Sequence, residues 1–224
     1  MSAEERAALV LGATGLVGGA LLNQLLDSSS FSPVAALLRR PSGRNHPRLI
    51  ERVTDFNNLD AIDLPPFATV FCALGTTIKV AGSPEAFRRI DYELPLRLAR
   101  WARGRGARHF LLVSSVGADP KSSNAYLRVK GELERDLAAL DYPAVDIFQP
   151  SVLLGPRTGF RPAEWISKVA LQAVPFLLVG PLRKYRAIRA QDVAAAMLAA
   201  SHSPAPGRRR HLFDEILNLA ARAK

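Results

Sequence analysis

Three glycines spaced three residues apart, Gly12, Gly15 and Gly18, follow a short apolar run and open an amphipathic one. Ala7–Leu11 reads as a buried strand, and Leu16–Leu26 carries apolar residues at helical spacing. Glycine at the first position permits a tight turn. At the second it lets the backbone approach a bound group, and at the third it lets the helix pack close to the strand. The helix N-terminus then presents free N–H groups and a partial positive charge, which suits a pyrophosphate. Gly12, Thr14, Gly15, Leu16, Val17 and Gly18 are therefore candidate cofactor-binding residues. An ordinary glycine-rich turn would show the same spacing. Its place after the first strand of an alternating chain favours a dinucleotide site.

The alternation continues. Val34–Leu38 is a second strand ending at Arg39-Arg40, Leu49–Thr54 a third ending at Asp55, and Thr69–Leu74 a fourth ending at Gly75-Thr76-Thr77. A long helix is predicted over Pro84–Arg103, kinked at Pro95. His109–Ser114 is a fifth strand, Asn124–Leu140 a helix and Ala144–Phe148 a sixth strand. Most of these strands need parallel crossovers, so the class is α/β: a doubly wound parallel sheet, the Rossmann fold. Residues 1–155 are expected to form the dinucleotide-binding core. Residues 156–224 are expected to form a small, mainly helical segment on the substrate side, packed on the core as one compact domain. That segment reads as helices at Pro162–Val174, Gln191–Ala200 and Leu212–Ala223, a short strand at Tyr185–Arg189, and a Pro/Gly/Arg-rich link at Ser203–Arg210.

The end of the second strand bears on which nicotinamide cofactor fits. An acid there would hold the ribose hydroxyls of NAD. This chain has Arg39 and Arg40 instead, and a guanidinium matches a 2′-phosphate with a charge-assisted fork. NADP(H) is the expected cofactor. Asp55 could accept from the adenine amino group or simply cap a turn.

Tyr126 and Lys130 stand four residues apart, on one face of the helix that follows the fifth strand. Strand C-termini are where an open α/β sheet binds ligands. Hydride reduction of a carbonyl creates an alkoxide that must take a proton. A free phenol titrates near ~10, and a neighbouring ammonium favours its ionised form. Tyr126 is thus the candidate acid/base, Lys130 its tuner and a ligand for the nicotinamide ribose. Ser115, in preference to Ser114, is the candidate to orient the substrate oxygen. Past the sixth strand, Arg157 and Arg161 could clamp an anion, and Trp165, Val169 and Phe176 could form an apolar wall.

Taken together, Gly12-x-x-Gly15-x-x-Gly18, Ala73-Leu74-Gly75, Val113-Ser114-Ser115, Tyr126-x-x-x-Lys130 and Gln149-Pro150-Ser151-Val152-Leu153-Leu154-Gly155 resemble the extended and atypical short-chain dehydrogenase/reductases. The segments Ser114–Asp119, Tyr126–Glu134 and Pro162–Trp165 are similar to the atypical group of HIV Tat-interacting-protein-like oxidoreductases. The resemblance implies a Rossmann fold and NADP(H). It implies Tyr126, Lys130 and a serine near 115 as the active-site set, with Leu74, Gly75, Thr76, Gln149, Pro150, Ser151 and Val152 lining the cofactor site. Gln149 departs from the commoner arginine before the proline. The short C-terminal part departs from enzymes that hold a nucleotide sugar. An oxidoreductase acting on a small carbonyl or alcohol is the leading expectation. An NADPH-holding regulator with little turnover and a nucleotide-sugar epimerase are the alternatives.

Charge and composition add exclusions. The chain carries 30 Lys and Arg against 20 Asp and Glu, a net charge of +10. The basic residues are mostly arginine and spread out, with no nucleic-acid-binding motif beside them, so no nucleic-acid partner is expected. The single cysteine, Cys72, lies in an apolar run and reads as core; no disulfide or zinc site is expected. Nothing resembles a signal peptide, and the apolar run Val169–Gly180 is too short for a bilayer span. A cytoplasmic protein acting on a small molecule is the expectation, with a homodimer as the candidate assembly.

Overall fold

The structure is a computed structural model that describes residues 7–155 and 178–223. Its elements run β1 (Ala8–Leu11), α1 (Leu16–Asp27), β2 (Val34–Leu38), β3 (Leu49–Val53), β4 (Thr69–Cys72), α2 (Ile78–Ala81), α3 (Pro84–Arg88), α4 (Leu94–Gly104), β5 (His109–Val113), α5 (Ala125–Leu137), β6 (Ala144–Phe148), β7 (Leu153–Leu154), β8 (Ile188–Arg189), α6 (Ala190–Ser201), β9 (Gly207–His211) and α7 (Phe213–Arg222). The helix expected at Pro162–Val174 lies outside the described residues, as do Arg157, Arg161, Trp165, Val169 and Phe176.

Seven strands make one parallel sheet in the order β3-β2-β1-β4-β5-β6-β9. The order reverses between β1 and β4, the switch point at which such a sheet opens a crevice. β1, β2, β4, β5 and β6 are buried along their whole length. Their mainly apolar sequences are what a sheet covered on both faces demands, with Thr69, His109 and Asp146 as the polar exceptions. One face carries α1, α6 and α7, whose Leu21, Leu22, Leu25, Val193, Met197 and Ile216 are fully buried. The other carries α4 and α5 through Leu98, Ala99, Ala102, Leu133 and Leu137. The link after β3 forms no helix. It covers its part of the sheet with buried Phe56, Leu59, Leu64 and Phe67.

Two sequence expectations need correcting. The helix expected over Pro84–Arg103 with a kink at Pro95 is instead interrupted by a wide π turn, Arg89–Glu93, between α3 and α4. Pro95 falls in the first turn of α4, where its missing N–H is tolerated. The disruption thus lies before the proline, and it carries the wholly buried Asp91 inward. The link expected at Ser203–Arg210 instead contains β9, the seventh strand. Its sequence, Gly-Arg-Arg-Arg-His, has no apolar alternation and hides the strand.

A buried charge holds β9 in place. Asp146 of β6 is wholly buried and accepts from His109 Nε2 of β5 at 2.7 Å, and from Arg209 and His211 of β9 at 2.7 and 2.5 Å. Burial alone would push its carboxyl up. The hydrogen bonds from the two histidines and Arg209 outweigh that and hold it well below the usual carboxylate range. A group lowered in this way contributes stability above its unfolded value, near 3.8, and loses it as the pH falls through the lower folded value. Removing the acid leaves buried His109 and His211 and half-buried Arg209 without their shared partner. Asp146→Ala is predicted to cost about 3–5 kcal/mol in urea unfolding at neutral pH. The cost should shrink as the pH drops below 4; an equal cost at pH 7 and pH 3 would show that the charge is not what matters.

Candidate active site

The crevice at the switch point starts from a backbone contact. Gly12 has φ +84°, and a Cβ there would fall 2.7 Å from the Ala73 carbonyl. Gly15 N–H donates to Gly12 O at 2.9 Å, closing the turn. A Cβ at Gly18 would lie 2.1 Å from the same Gly12 oxygen, so α1 starts hard against the turn. Gly15 caps α1 without a side-chain acceptor, and the first turn holds no acid. The leading N–H groups of α1 therefore face outward, where an anion can take them.

A cleft of about 340 Å³ opens beside this turn. Gly15, Leu16 and Val17 line one side, Ala73, Leu74, Gly75, Thr76, Thr77 and Val80 another, and Val113, Ser114, Tyr126, Lys130, Ser151 and Leu153 the rest. Of the residues expected from the sequence, the fold thus brings Gly15, Leu16, Val17, Leu74, Gly75, Thr76, Tyr126 and Lys130 to one cavity. Gly12 and Gly18 build the turn behind it, and Thr14 is exposed on the turn.

The remaining expected residues lie elsewhere. Arg39 and Arg40 are exposed at the end of β2. Asp55 is exposed and caps its own turn, accepting from Asn57 N at 2.9 Å and Asn57 Nδ2 at 2.7 Å. The backbone and side-chain bonds from Asn57 hold its carboxyl below the usual range. Pro150 is buried, with its carbonyl accepting from Val116 N, and Val152 accepts from Ile188 N through its carbonyl. Gln149 is buried and turned to Glu134, whereas Ser151, expected with them, and Leu153 face the cleft.

Local sequence places Tyr126. The Asn124 side chain caps α5, accepting from Tyr126 N at 2.9 Å and Leu127 N at 3.2 Å. Half-buried Tyr126 stacks on buried Phe87 of α3, with ring centres 5.3 Å apart. One turn later on α5, Lys130 is buried with its Nζ 6.0 Å from the Tyr126 ring centre and 2.6 Å from Asp91 Oδ1. Asp91 Oδ2 accepts from Thr76 N at 2.9 Å.

The two serines differ. Ser114 Oγ donates to Glu134 Oε1 at 2.6 Å, and Gln149 Nε2 donates to the same oxygen at 2.7 Å. With its proton spent on a buried carboxylate, Ser114 offers the cleft lone pairs only. Ser115 is half-buried and makes only a long contact, 3.4 Å, to Val116 O, and it is not among the cleft-lining residues. Glu134 is also paired with Arg210 of β9 at 3.2 Å. A cation from a distant strand thus stands near Gln149, where the resemblance leads one to expect arginine.

Asp91, Glu134 and Phe87 were invisible in the sequence as site residues. Each sits inside a helical pattern that gives no sign of facing a cleft. Ser114, the second choice after Ser115, and Ser151, within the segment the resemblance implied, do line the cleft.

The match to known families settles where the chain belongs: residues 8–220 fit the description NAD dependent epimerase/dehydratase family. The chain is a member of that family. The HTATIP2 protein of Rattus norvegicus is 36% identical over 178 residues, covering 77% of this chain and 73% of that protein. FMP52 of Saccharomyces cerevisiae is 41% identical over 158 residues, covering 68% of each. Among solved structures, MoeE5 in complex with UDP-glucose and NAD superposes with a TM-score of 0.67 at 19% identity, over 96% of this chain and 81% of that one. The human epimerase family protein SDR39U1 with NADPH has a TM-score of 0.59 at 17% identity, over 92% of this chain and 74% of that one. These two likenesses are of fold alone. The family supports an NAD(P)-binding Rossmann protein with oxidoreductase-like chemistry. One expectation is overturned: relatives from Saccharomyces cerevisiae, Scheffersomyces stipitis and Eremothecium gossypii are named as mitochondrial, against the cytoplasmic placement expected from the sequence.

The crowded glycine turn supplies a test. Gly18→Ala is predicted to cost about 1–3 kcal/mol, because its methyl would have to displace the Gly12 carbonyl. Thermal unfolding would measure the cost, and an unchanged midpoint would show that the turn is not closed at this point.

Proposed function

We propose that the protein is an NADP(H)-dependent oxidoreductase of the short-chain dehydrogenase type, acting on a small carbonyl or alcohol. The observation that carries the reading is a single cleft lined by both the uncapped start of α1 and the Tyr126–Lys130 pair. The glycine turn fits a pyrophosphate because the Gly15 cap leaves the helix donors open and the first turn holds no competing acid. Arg39 and Arg40 stand at the end of β2, next to β1, where a 2′-phosphate would meet them. The cofactor supplies or accepts a hydride when bound. The chain's own residues do the rest. Leu74, Gly75 and Thr76 bound the cleft opposite α1 and orient what lies in it. Tyr126 exchanges a proton at the substrate oxygen through its hydroxyl. Lys130 places its ammonium beneath that phenol, 6.0 Å from the ring centre. Ser115, which lies outside the cleft lining, would reach the substrate oxygen only by turning its hydroxyl away from Val116 O, and Ser114 has no proton to give.

The expected outcome is measurable by fluorescence titration with NADPH and NADH. NADPH should bind more tightly. Arg39→Ala with Arg40→Ala should weaken NADPH binding by about ten- to hundredfold and leave NADH nearly unchanged. Tyr126→Phe should abolish turnover across a panel of small carbonyls while keeping NADPH affinity within about twofold. Loss of neither cofactor preference nor turnover in these variants would overturn the assignment. Tight NADPH binding without turnover by the wild type would move the protein to the cofactor-holding regulator.

A further inference from the structure

A lysine that is 3% exposed needs a matched charge. The groups facing Lys130 come from three elements. Asp91 reaches it from the π turn, Tyr126 from α5 itself, and Cys72 from β4. Burial pushes the Cys72 thiol up to about 11, so it stays neutral at physiological pH. That leaves Asp91 as the acid at contact distance, 2.6 Å away. Burial by itself pulls the Lys130 ammonium down. Asp91 and, after it, Tyr126 more than reverse that and leave it above the ordinary lysine value.

Geometry gives Asp91 a second hold. Its Oδ2 accepts from Thr76 N at 2.9 Å, on the turn that bounds the cleft. A Cβ at Gly75 would stand 3.4 Å from both Asp91 Oδ1 and Lys130 Nζ, so that turn passes directly over the ion pair. The wide π turn places this carboxylate. In a regular helix the five residues Arg89–Glu93 would follow the α-helical spacing and point differently. One acid therefore ties the exit of β4, the break between α3 and α4, and the catalytic face of α5.

We propose that Asp91 is a positioning residue: its carboxylate keeps the buried Lys130 ionised and holds the ammonium between the Gly75–Thr76 turn and Tyr126. Its bearing on catalysis rests on the oxidoreductase reading above; its effect on Lys130 does not. Asp91→Asn keeps an acceptor for Thr76 N–H and removes only the charge. The test is the titration of Lys130 in cofactor-free protein labelled with ¹³Cε-lysine, with the resonance assigned by its loss in Lys130→Arg.

In the wild type Lys130 should keep its proton to a higher pH than the surface lysines. In Asp91→Asn it should release the proton at lower pH than in the wild type, with the surface lysines unmoved. Asp91→Glu, which retains the charge, should restore most of the wild-type behaviour. Coincident Lys130 titrations in the wild type and Asp91→Asn would overturn the proposal, even if the variant melts earlier, since that pattern marks a purely structural carboxylate. Should Asp91→Asn fail to fold, the wild-type titration still decides: a Lys130 that loses its proton before the surface lysines refutes the role. Failure of the wild type to bind NADPH would sink the oxidoreductase reading and leave this titration untouched.

Discussion

Everything at the functional edge of this molecule follows from the ends of β1 and β4 meeting backbone to backbone. At Gly12 there is no room for a side chain against Ala73 and Leu74. The contact falls where strand order reverses, so the two chains leaving it must diverge, α1 to one face and the Ala73–Thr77 turn to the other. The cleft is the space between them. Gly18 closes the same turn from the helix side, which brings the first N–H groups of α1 to the rim. A larger residue at either glycine would move both walls at once.

Around that contact the chain arranges charge against its overall balance. The protein is strongly basic, yet Asp91, Glu134 and Asp146 are almost fully withdrawn from water. Each meets a cation: Lys130, Arg210 and Arg209. Two of the three cations come from β9, the polar strand at the sheet's edge. Such pairs repay little in net stability against an apolar alternative, but they penalise any arrangement that leaves one partner alone. They fix β9 beside β6, Ser114 against α5, and Lys130 beneath the cleft. The arginine-rich composition, which on its face suggested only a solvated surface, thus supplies part of the interior frame.

The pairing also explains how a motif departure is accommodated. The resemblance leads one to expect arginine where Gln149 stands. Its amide instead donates to Glu134, and Arg210 brings the positive charge from the neighbouring strand. Ser114 becomes the third group on that carboxylate. Its hydroxyl is thereby committed, which separates its chemistry from that of Ser115, one residue on.

Local pattern determined much of this protein. Val34–Leu38 and Ala144–Phe148 were legible as strands to the residue, because buried parallel strands are mainly apolar, and the lone Asp146 did not break the run. The glycine turn and the four-residue spacing of Tyr126 and Lys130 were legible because each depends on a few neighbouring positions. Tertiary structure decided what depends on distant partners. β9 is a strand because Asp146 waits for it, and nothing in its own arginines says so. Asp91 belongs to the site because a wide helical turn rotates it inward to meet Lys130, thirty-nine positions along the chain by their numbering. Periodicity records which face of an element avoids water; it does not record which buried charge lies on the other side.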